Sequence, residues 1–410
     1  MAGSINLNRS RIIGNITTLF SGSVFAQAMT ALALLFTARQ LNANIYGQYA
    51  ACIAIASLSS ICFSLGLDIW LLREGGRSKP HLPFLTGSVL GIKGSLGIIW
   101  MIIFSLIAPL LNQDTYPIRL IHWSLLLILL DNLFATTLTG FKSSLLNKPP
   151  AILEASADFV WFALTMLLIL FGSLQPETYL QVRSAVVFAG LIIALLYFHR
   201  KIGIRFSRDV AIQALKSMFP FASSEFLGMV TMRADVVIIG LTLGEFATGI
   251  YSPAVGLINM ALIVPMAVYT VMMPVLGNLY KNNLQQAKQT AKRTILLLFG
   301  IGIILMLLFL LGAPLFVLIL GDTYQPTVEI LRILSLVLLF KCVSFAMAAI
   351  MIATDKQARR SVVQFIAAGT NLLLNLAIVN ILGVSGIAGV YVITEIILLA
   401  GYSWVVWYKR

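Results

Sequence analysis

Charge is scarce in this sequence. Asp, Glu, Lys and Arg make up only 10% of its 410 residues, against 59% hydrophobic residues and a mean hydropathy of +0.95. Soluble domains carry about 25% charged residues, so an ordinary water-soluble fold is excluded. Cysteine and histidine are scarcer still, at three each. Cys52, Cys62 and Cys342 lie in apolar runs outside any CxxC or metal-ligand spacing, and they read as small core residues. His81, His122 and His199 are too dispersed for a metal site. No cofactor is expected. A GxxxxGK[ST] motif is also missing: GSVLGIKG at 87–94 lacks the Lys-Ser/Thr ending and falls inside an apolar run, so the chain does not hydrolyse nucleotide itself. No DxD-like pair sits in a sizeable soluble loop, which leaves a glycosyltransferase, polymerase or ligase without a place for its active site.

What is present is a series of apolar runs. Spanning a bilayer takes about 20 apolar residues as helix, because the backbone must satisfy its own hydrogen bonds where there is no water. The runs reach that length and lack the ten-residue alternation of a membrane barrel. The fold class is therefore all-α and polytopic, with spans expected at 16–38, 47–72, 84–111, 119–141, 151–172, 178–198, 218–243, 249–280, 294–319, 327–353, 361–382 and 386–408. The first run is too long for the apolar core of a signal peptide and is kept as a span.

The net charge of +13 has a one-sided distribution. Alternate gaps carry 21 Lys and Arg, from Arg9 and Arg11, through five between His199 and Lys216, to Lys409 and Arg410; the other gaps carry Arg39 and Arg119. Such short clusters are topology signals rather than a nucleic-acid surface, and they place both termini in the cytoplasm. GQYA at 47–50 recurs as GIYS at 249–252, and LLNKP at 145–149 resembles ATDKQ at 353–357, at offsets of 202 and 208. These matches favour a duplicated half: a six-helix lobe over 1–198, a basic linker over 199–217 and a second six-helix lobe over 218–410. The run at 249–280 contains Pro253, Pro265 and Pro274 and should bend.

Chemistry must then sit on ionisable groups within spans: Asp68, Lys93, Asp131, Glu154, Asp158, Arg183, Glu225, Arg233, Asp235, Arg332, Lys341 and Glu395. Each costs about 2.5–3.5 kcal/mol at the bilayer centre, so most should face protein or water. Arg183 and Arg332, near outer ends, are expected to snorkel. Arg233 and Asp235 are two apart and cannot pair on one helix face; Asp235 is expected to orient or neutralise a cation on another helix. Arg233, Lys93 and Lys341 lie at mid-span and suit one electropositive chamber for an anion. Glu154 and Asp158, one turn apart, together with Asp68, are candidates for ion coupling.

The segments ARQLNANIYGQYA (38–50), SLGLDIWLLREGG (64–76), RADVVIIGLTLGEFATGIYSPA (233–254), LGDTYQPTVEILRILS (320–335) and NLLLNLAIVNILGVSGIAGVYVITE (371–395) resemble those of Wzx-type polysaccharide repeat-unit flippases. These belong to the MATE-like superfamily that also contains the lipid II flippases. The resemblance implies two six-helix lobes around a central cavity, alternating access, and export of an undecaprenyl-pyrophosphate-linked oligosaccharide. Membrane lipids and a polysaccharide polymerase or chain-length protein are the implied partners. Arg233, Lys93, Lys341 and Asp235 are the positions onto which substrate binding is carried. A MATE-type drug or cation antiporter, a lipid II flippase and a non-transporting scaffold are the alternatives; an antiporter would need an acidic site, for which Asp68, Asp131, Glu225 and Asp235 are available.

Overall fold

A computed structural model of the chain describes residues 9–77, 79–144, 146–172 and 175–407, and among them every regular element is helical. Residues 1–8 of the first expected lobe, and Lys409 and Arg410 among the basic residues counted, lie outside the described residues. In order, the helices are α1 (Arg9–Gln40), α2 (Ala43–Ser59), α3 (Ile61–Ser64), α4 (Leu67–Arg77), α5 (Leu82–Ile107), α6 (Ile118–Ser143), α7 (Lys148–Leu170) and α8 (Pro176–Lys201). They continue with α9 (Arg208–Ser217), α10 (Phe219–Thr242), α11 (Gly244–Ala261), α12 (Ile263–Asn282), α13 (Leu284–Leu320), α14 (Thr327–Ala353) and α15 (Gln357–Trp407).

Nine helical segments among the described residues are long and apolar enough to cross a membrane, and the protein is a multi-pass membrane protein. Two further helices have the length for a span: α1 has 32 residues, and α10 has 24 but carries Glu225, Arg233 and Asp235. The 51-residue α15 is interrupted at Gly383 (φ 58°, ψ −145°), between the spans expected to end at 382 and to begin at 386.

Local chemistry sets the helix ends. Proline opens α5, α7 and α8, where a missing N–H costs nothing. Asn283 caps α13, its side chain accepting from the Gln286 N–H at 3.0 Å. The long run at 249–280 breaks at Leu262, between α11 and α12. Pro265 explains the position: it has no N–H to return to the carbonyl of Ala261, so the helix restarts with proline in its first turn.

Contacts divide the chain into two units. One comprises Met1–Ala33, Ser59–Leu111 and Ile118–Phe226; the other comprises Leu34–Leu58, Asn112–Pro117 and Leu227–Arg410. Residues 34–58 and 112–117, expected in the N-terminal lobe, thus group with the C-terminal part of the chain. The reason is a set of close polar and backbone contacts within the second unit. Gln48 Nε2 donates to the Asp114 carbonyl at 2.8 Å, Thr115 Oγ1 to Glu245 Oε2 at 2.9 Å, and the Tyr324 hydroxyl to the Ala38 carbonyl at 2.6 Å. Burial pushes the Tyr324 phenol above its ordinary pKa, so it stays a donor.

Within the first unit the core is Leu67, Trp70 and Leu71 of α4, Leu82, Leu85, Val89 and Ile92 of α5, Phe141, Phe198, and Ala211 and Ala214 of α9. Within the second, Met347–Met351 of α14 pack against Leu276, Ala291, Tyr402 and Val405. These apolar contacts hold the helices that carry the charged groups.

Candidate functional site

The span expected at 47–72 is not one helix. It breaks after α3, where Leu65 is left-handed (φ 50°, ψ 24°) and Gly66 has φ 67°. A Cβ on Gly66 would lie 2.3 Å from the Phe221 carbonyl carbon, so only glycine fits. A broken helix within a span leaves backbone groups that hydrocarbon cannot satisfy. Glu225 of α10 answers this by accepting the Gly66 N–H.

Asp68 lies in the first turn of α4, where the helix dipole favours an anion. Lys93 Nζ donates to Asp68 Oδ2 and to Thr136 Oγ1, both at 2.9 Å, and Thr136 Oγ1 donates to Asp68 Oδ1 at 2.6 Å. The Lys93 side chain is fully buried while that of Asp68 is 30% exposed. Lys93 is therefore held by a carboxylate. Asp68 and Lys93 stand 12 and 13 residues from Pro80, at nearly equal depth on antiparallel helices, a signal that could have paired them from sequence.

A second group joins three helices of the first unit. Asp158 of α7 pairs with Arg183 of α8, whose guanidinium also lies 4.2 Å from the centroid of the Trp161 ring. Asp131 of α6 is close enough to act electrostatically on both. Arg183 thus does not snorkel; it is 16% exposed and tied to its carboxylate. Asp158 finds its partner on a neighbouring helix rather than one turn away at Glu154, which is half-buried. Trp161 Nε1, Thr165 Oγ1 and Ser184 Oγ are buried without hydrogen-bond partners among the described residues.

In the second unit Asp235 is buried on α10. Its Oδ2 accepts from the Tyr251 hydroxyl at 2.7 Å and its Oδ1 from the Val236 N–H at 2.8 Å. The expected cationic partner on another helix is replaced by a tyrosine of α11: an uncharged donor satisfies the carboxylate with no second charge to desolvate. Arg233, two residues earlier, is exposed. Lys341 of α14 donates to Glu395 Oε1 at 2.9 Å and to the Tyr391 hydroxyl at 3.0 Å. Next to Glu395, the Thr394 hydroxyl accepts from Asn371 Nδ2 at 3.0 Å, and Asn371 Oδ1 accepts from Asn375 Nδ2 at 3.1 Å.

Of the three cations expected to bind anion, Lys93 and Lys341 are therefore each held in an ion pair, and Arg233 is the exposed one. Among the described residues no group of three or more His, Cys, Asp or Glu could hold a metal ion.

Residues 36–329 match the family described as Polysaccharide biosynthesis protein. The chain belongs to this family. No curated protein matches the sequence significantly. Solved structures of the same fold include an inward-facing multidrug resistance MATE family transporter of the MOP superfamily, with TM-score 0.74 and 13% identity over 92% of this chain and 93% of that one. They also include the lipid II flippase MurJ in an inward closed conformation, with TM-score 0.70 and 15% identity over 95% and 87%. A third is a MOP superfamily transporter from Pyrococcus furiosus Vc1, reported under the statement that reverse polarity of its binding pocket suggests a different function; its TM-score is 0.63, with 13% identity over 95% and 94%. The fold of this family member is accordingly MATE-like.

Proposed function

We propose that this polysaccharide biosynthesis protein is a transporter rather than an enzyme. It flips undecaprenyl-pyrophosphate-linked oligosaccharide repeat units from the cytoplasmic to the outer leaflet of the bacterial inner membrane by alternating access. Family membership supports a role with a lipid-linked glycan, and the MATE-like fold supports transport.

The observation that carries the reading is Arg233, an exposed arginine on a membrane-length helix beside a buried aspartate that a tyrosine already satisfies. A pyrophosphate diester carries about two negative charges, and hydrocarbon excludes them without compensating cations. Arginine offers a planar fork to phosphate, whereas lysine offers a point charge. A membrane potential negative inside favours outward movement of the anion by about 2.3 kcal/mol per charge per 100 mV. Lys93 and Lys341 act in this reading as cations that exchange a carboxylate for the substrate, so their role depends on a conformational step.

The test measures surface polysaccharide together with membrane abundance. Arg233→Ala should abolish export at normal protein level, Arg233→Lys should keep part of it, and Asp235→Asn should be milder. Wild-type polysaccharide from a normally expressed Arg233→Ala protein would refute the assignment.

An antiporter of cations or drugs is the second reading, and one observation favours it. Asp131, Asp158 and Arg183 sum to one net negative charge, as do Asp68, Glu225 and Lys93. These groups suit the coupling ion as well as they suit a cationic substrate, which keeps Asp158 and Asp68 as coupling candidates, with Glu154 beside them.

A further inference from the structure

The linker between α8 and α10 is a docked element rather than a tether. The Arg205 N–H donates to the Pro83 carbonyl at 3.0 Å, and the Ser207 N–H to Ser88 Oγ at 3.0 Å, while Ser88 Oγ donates back to the Ser207 carbonyl at 3.0 Å. Gly87 and Gly91 on α5 make room for it: a Cβ on Gly87 would lie 2.3 Å from the Arg205 carbonyl oxygen, and one on Gly91 would lie 3.0 Å from the Phe206 ring. Gly91 stands nine residues along α5 from Leu82, about 13 Å at 1.5 Å per residue, so Phe206 is pinned well inside the end of a membrane span.

Helix α9 then shows three stripes at helical spacing. Ala211 and Ala214 are buried in the core of the first unit. Asp209, Gln213 and Lys216 form an exposed polar stripe. Between these two stripes lie Ile212 and Leu215, 41% and 38% exposed, with Arg208 on the same stripe and Phe206 (63%) and Phe219 (79%) at its ends. Over residues 205–216 three cations, Arg205, Arg208 and Lys216, face one acid, Asp209. Arg205 also lies over the Phe84 ring, 5.7 Å from its centroid.

We infer that α9 and its flanks form a binding site for anionic phospholipid headgroups at the membrane surface. The Phe206, Ile212, Leu215 and Phe219 side chains enter the acyl boundary, and Arg205, Arg208 and Lys216 hold the lipid phosphate. An apolar stripe with cations set into and beside it is the pattern of a helix lying in the interface, where apolar burial and attraction to anionic lipid add. Charge complementarity selects the ligand: each interfacial Lys or Arg favours an anionic surface by about five-fold, and a zwitterionic lipid offers no such gain. The docking on α5 fixes the stripe at this depth, because both ends of the segment run directly into membrane-length helices.

The full chain in nanodiscs tests this, with Cys52, Cys62 and Cys342 replaced by alanine and Leu215→Cys carrying a bimane label. Quenching is compared between spin-labelled phosphatidylglycerol and spin-labelled phosphatidylcholine at equal mole fraction. The anionic quencher should be about five-fold more effective or better, and the preference should shrink as salt is raised. Arg205→Gln with Arg208→Gln should remove the preference, whereas the two Arg→Lys changes should keep it. Equal quenching by the two lipids, or quenching by neither, overturns the site. Because both leaflets of a nanodisc have one composition and no export is measured, the result does not depend on the membrane orientation or on the proposed substrate.

Discussion

Gly47 of α2 and Gly249 of α11 lie against each other's helix with backbones in contact. A Cβ on Gly47 would fall 1.8 Å from the Glu245 carbonyl oxygen and 2.8 Å from the Gly249 nitrogen, and one on Gly249 would fall 1.8 Å from the Ala43 carbonyl oxygen. These are the glycines of GQYA and GIYS, the two segments related at an offset of 202. The similarity therefore has a packing cause: each copy supplies the absent side chain that lets the other helix approach. Small residues that permit backbone contact are how helices associate where lipid removes the hydrophobic drive.

Gly47→Ala and Gly249→Ala should each destabilise the protein. Alanine normally favours a helix over glycine by about 1 kcal/mol, but here the methyl has only backbone to displace, and overpacking of that kind costs about 1–3 kcal/mol or more. Gly256→Ala, on the same α11 with nothing within 4 Å of its would-be Cβ, should be neutral or stabilising. Thermal unfolding of detergent-purified protein compares the three. Equal stability of Gly249→Ala and Gly256→Ala would show that α2 and α11 do not meet.

The ion pair Lys341–Glu395 separates a structural from a functional role. The Glu395 side chain is 2% exposed and that of Lys341 23%. Glu395→Gln leaves an unpaired, largely buried ammonium and should lower stability by about 3–5 kcal/mol. Lys341→Met combined with Glu395→Gln removes both charges and should restore abundance. If Lys341 also meets substrate, the double variant should be abundant yet export poorly. Wild-type export from it would assign the pair to structure alone.

Much of this was legible because periodicity and apolar length are local properties. The runs at 84–111, 119–141 and 327–353 nearly coincide with α5, α6 and α14, and the break at Gly383 falls where two runs were separated. The break at Leu65–Gly66 was not visible, since its backbone is satisfied by Glu225, 159 residues away. Partners were harder to read than positions. Asp235 and Tyr251 are 16 apart on different helices, and nothing in the run VTMRADVVIIG says that a tyrosine supplies the proton donor. A position near the outer end of a run suggests a snorkelling Arg183, but position along the chain carries no information about Asp158 and Trp161 beside it.

Membrane orientation rests on the count of 21 cations against two, and α9 gives a place to test it. Gln213 is exposed on the polar stripe of that helix. In a chain whose native cysteines are replaced, Gln213→Cys should react with a membrane-impermeant maleimide in inverted vesicles and stay unlabelled in intact cells. Labelling in intact cells reverses the orientation.

The group Asp131, Asp158 and Arg183 makes the last prediction. Two carboxylates and one guanidinium leave a single negative charge among α6, α7 and α8, and an uncompensated charge within a membrane span is costly. A proton or a small cation removes that charge, and the Thr165 and Ser184 hydroxyls, on α7 and α8, are buried oxygen acceptors without hydrogen-bond partners among the described residues. If this group couples transport to an ion gradient, Asp131→Asn should leave a balanced Asp158–Arg183 pair that needs no ion. Transport should then persist while losing its dependence on the imposed gradient. Asp158→Asn should have a milder folding effect than Arg183→Ala, because Asp131 remains to face the guanidinium, whereas Arg183→Ala leaves two carboxylates together and should reduce abundance. Transport of a lipid-linked oligosaccharide into proteoliposomes, with proton and sodium gradients imposed separately, reads the outcome. An Asp131→Asn protein that responds to either gradient as the wild type does would remove this group from the coupling path and leave Asp68 and Glu154 to be tested in the same way.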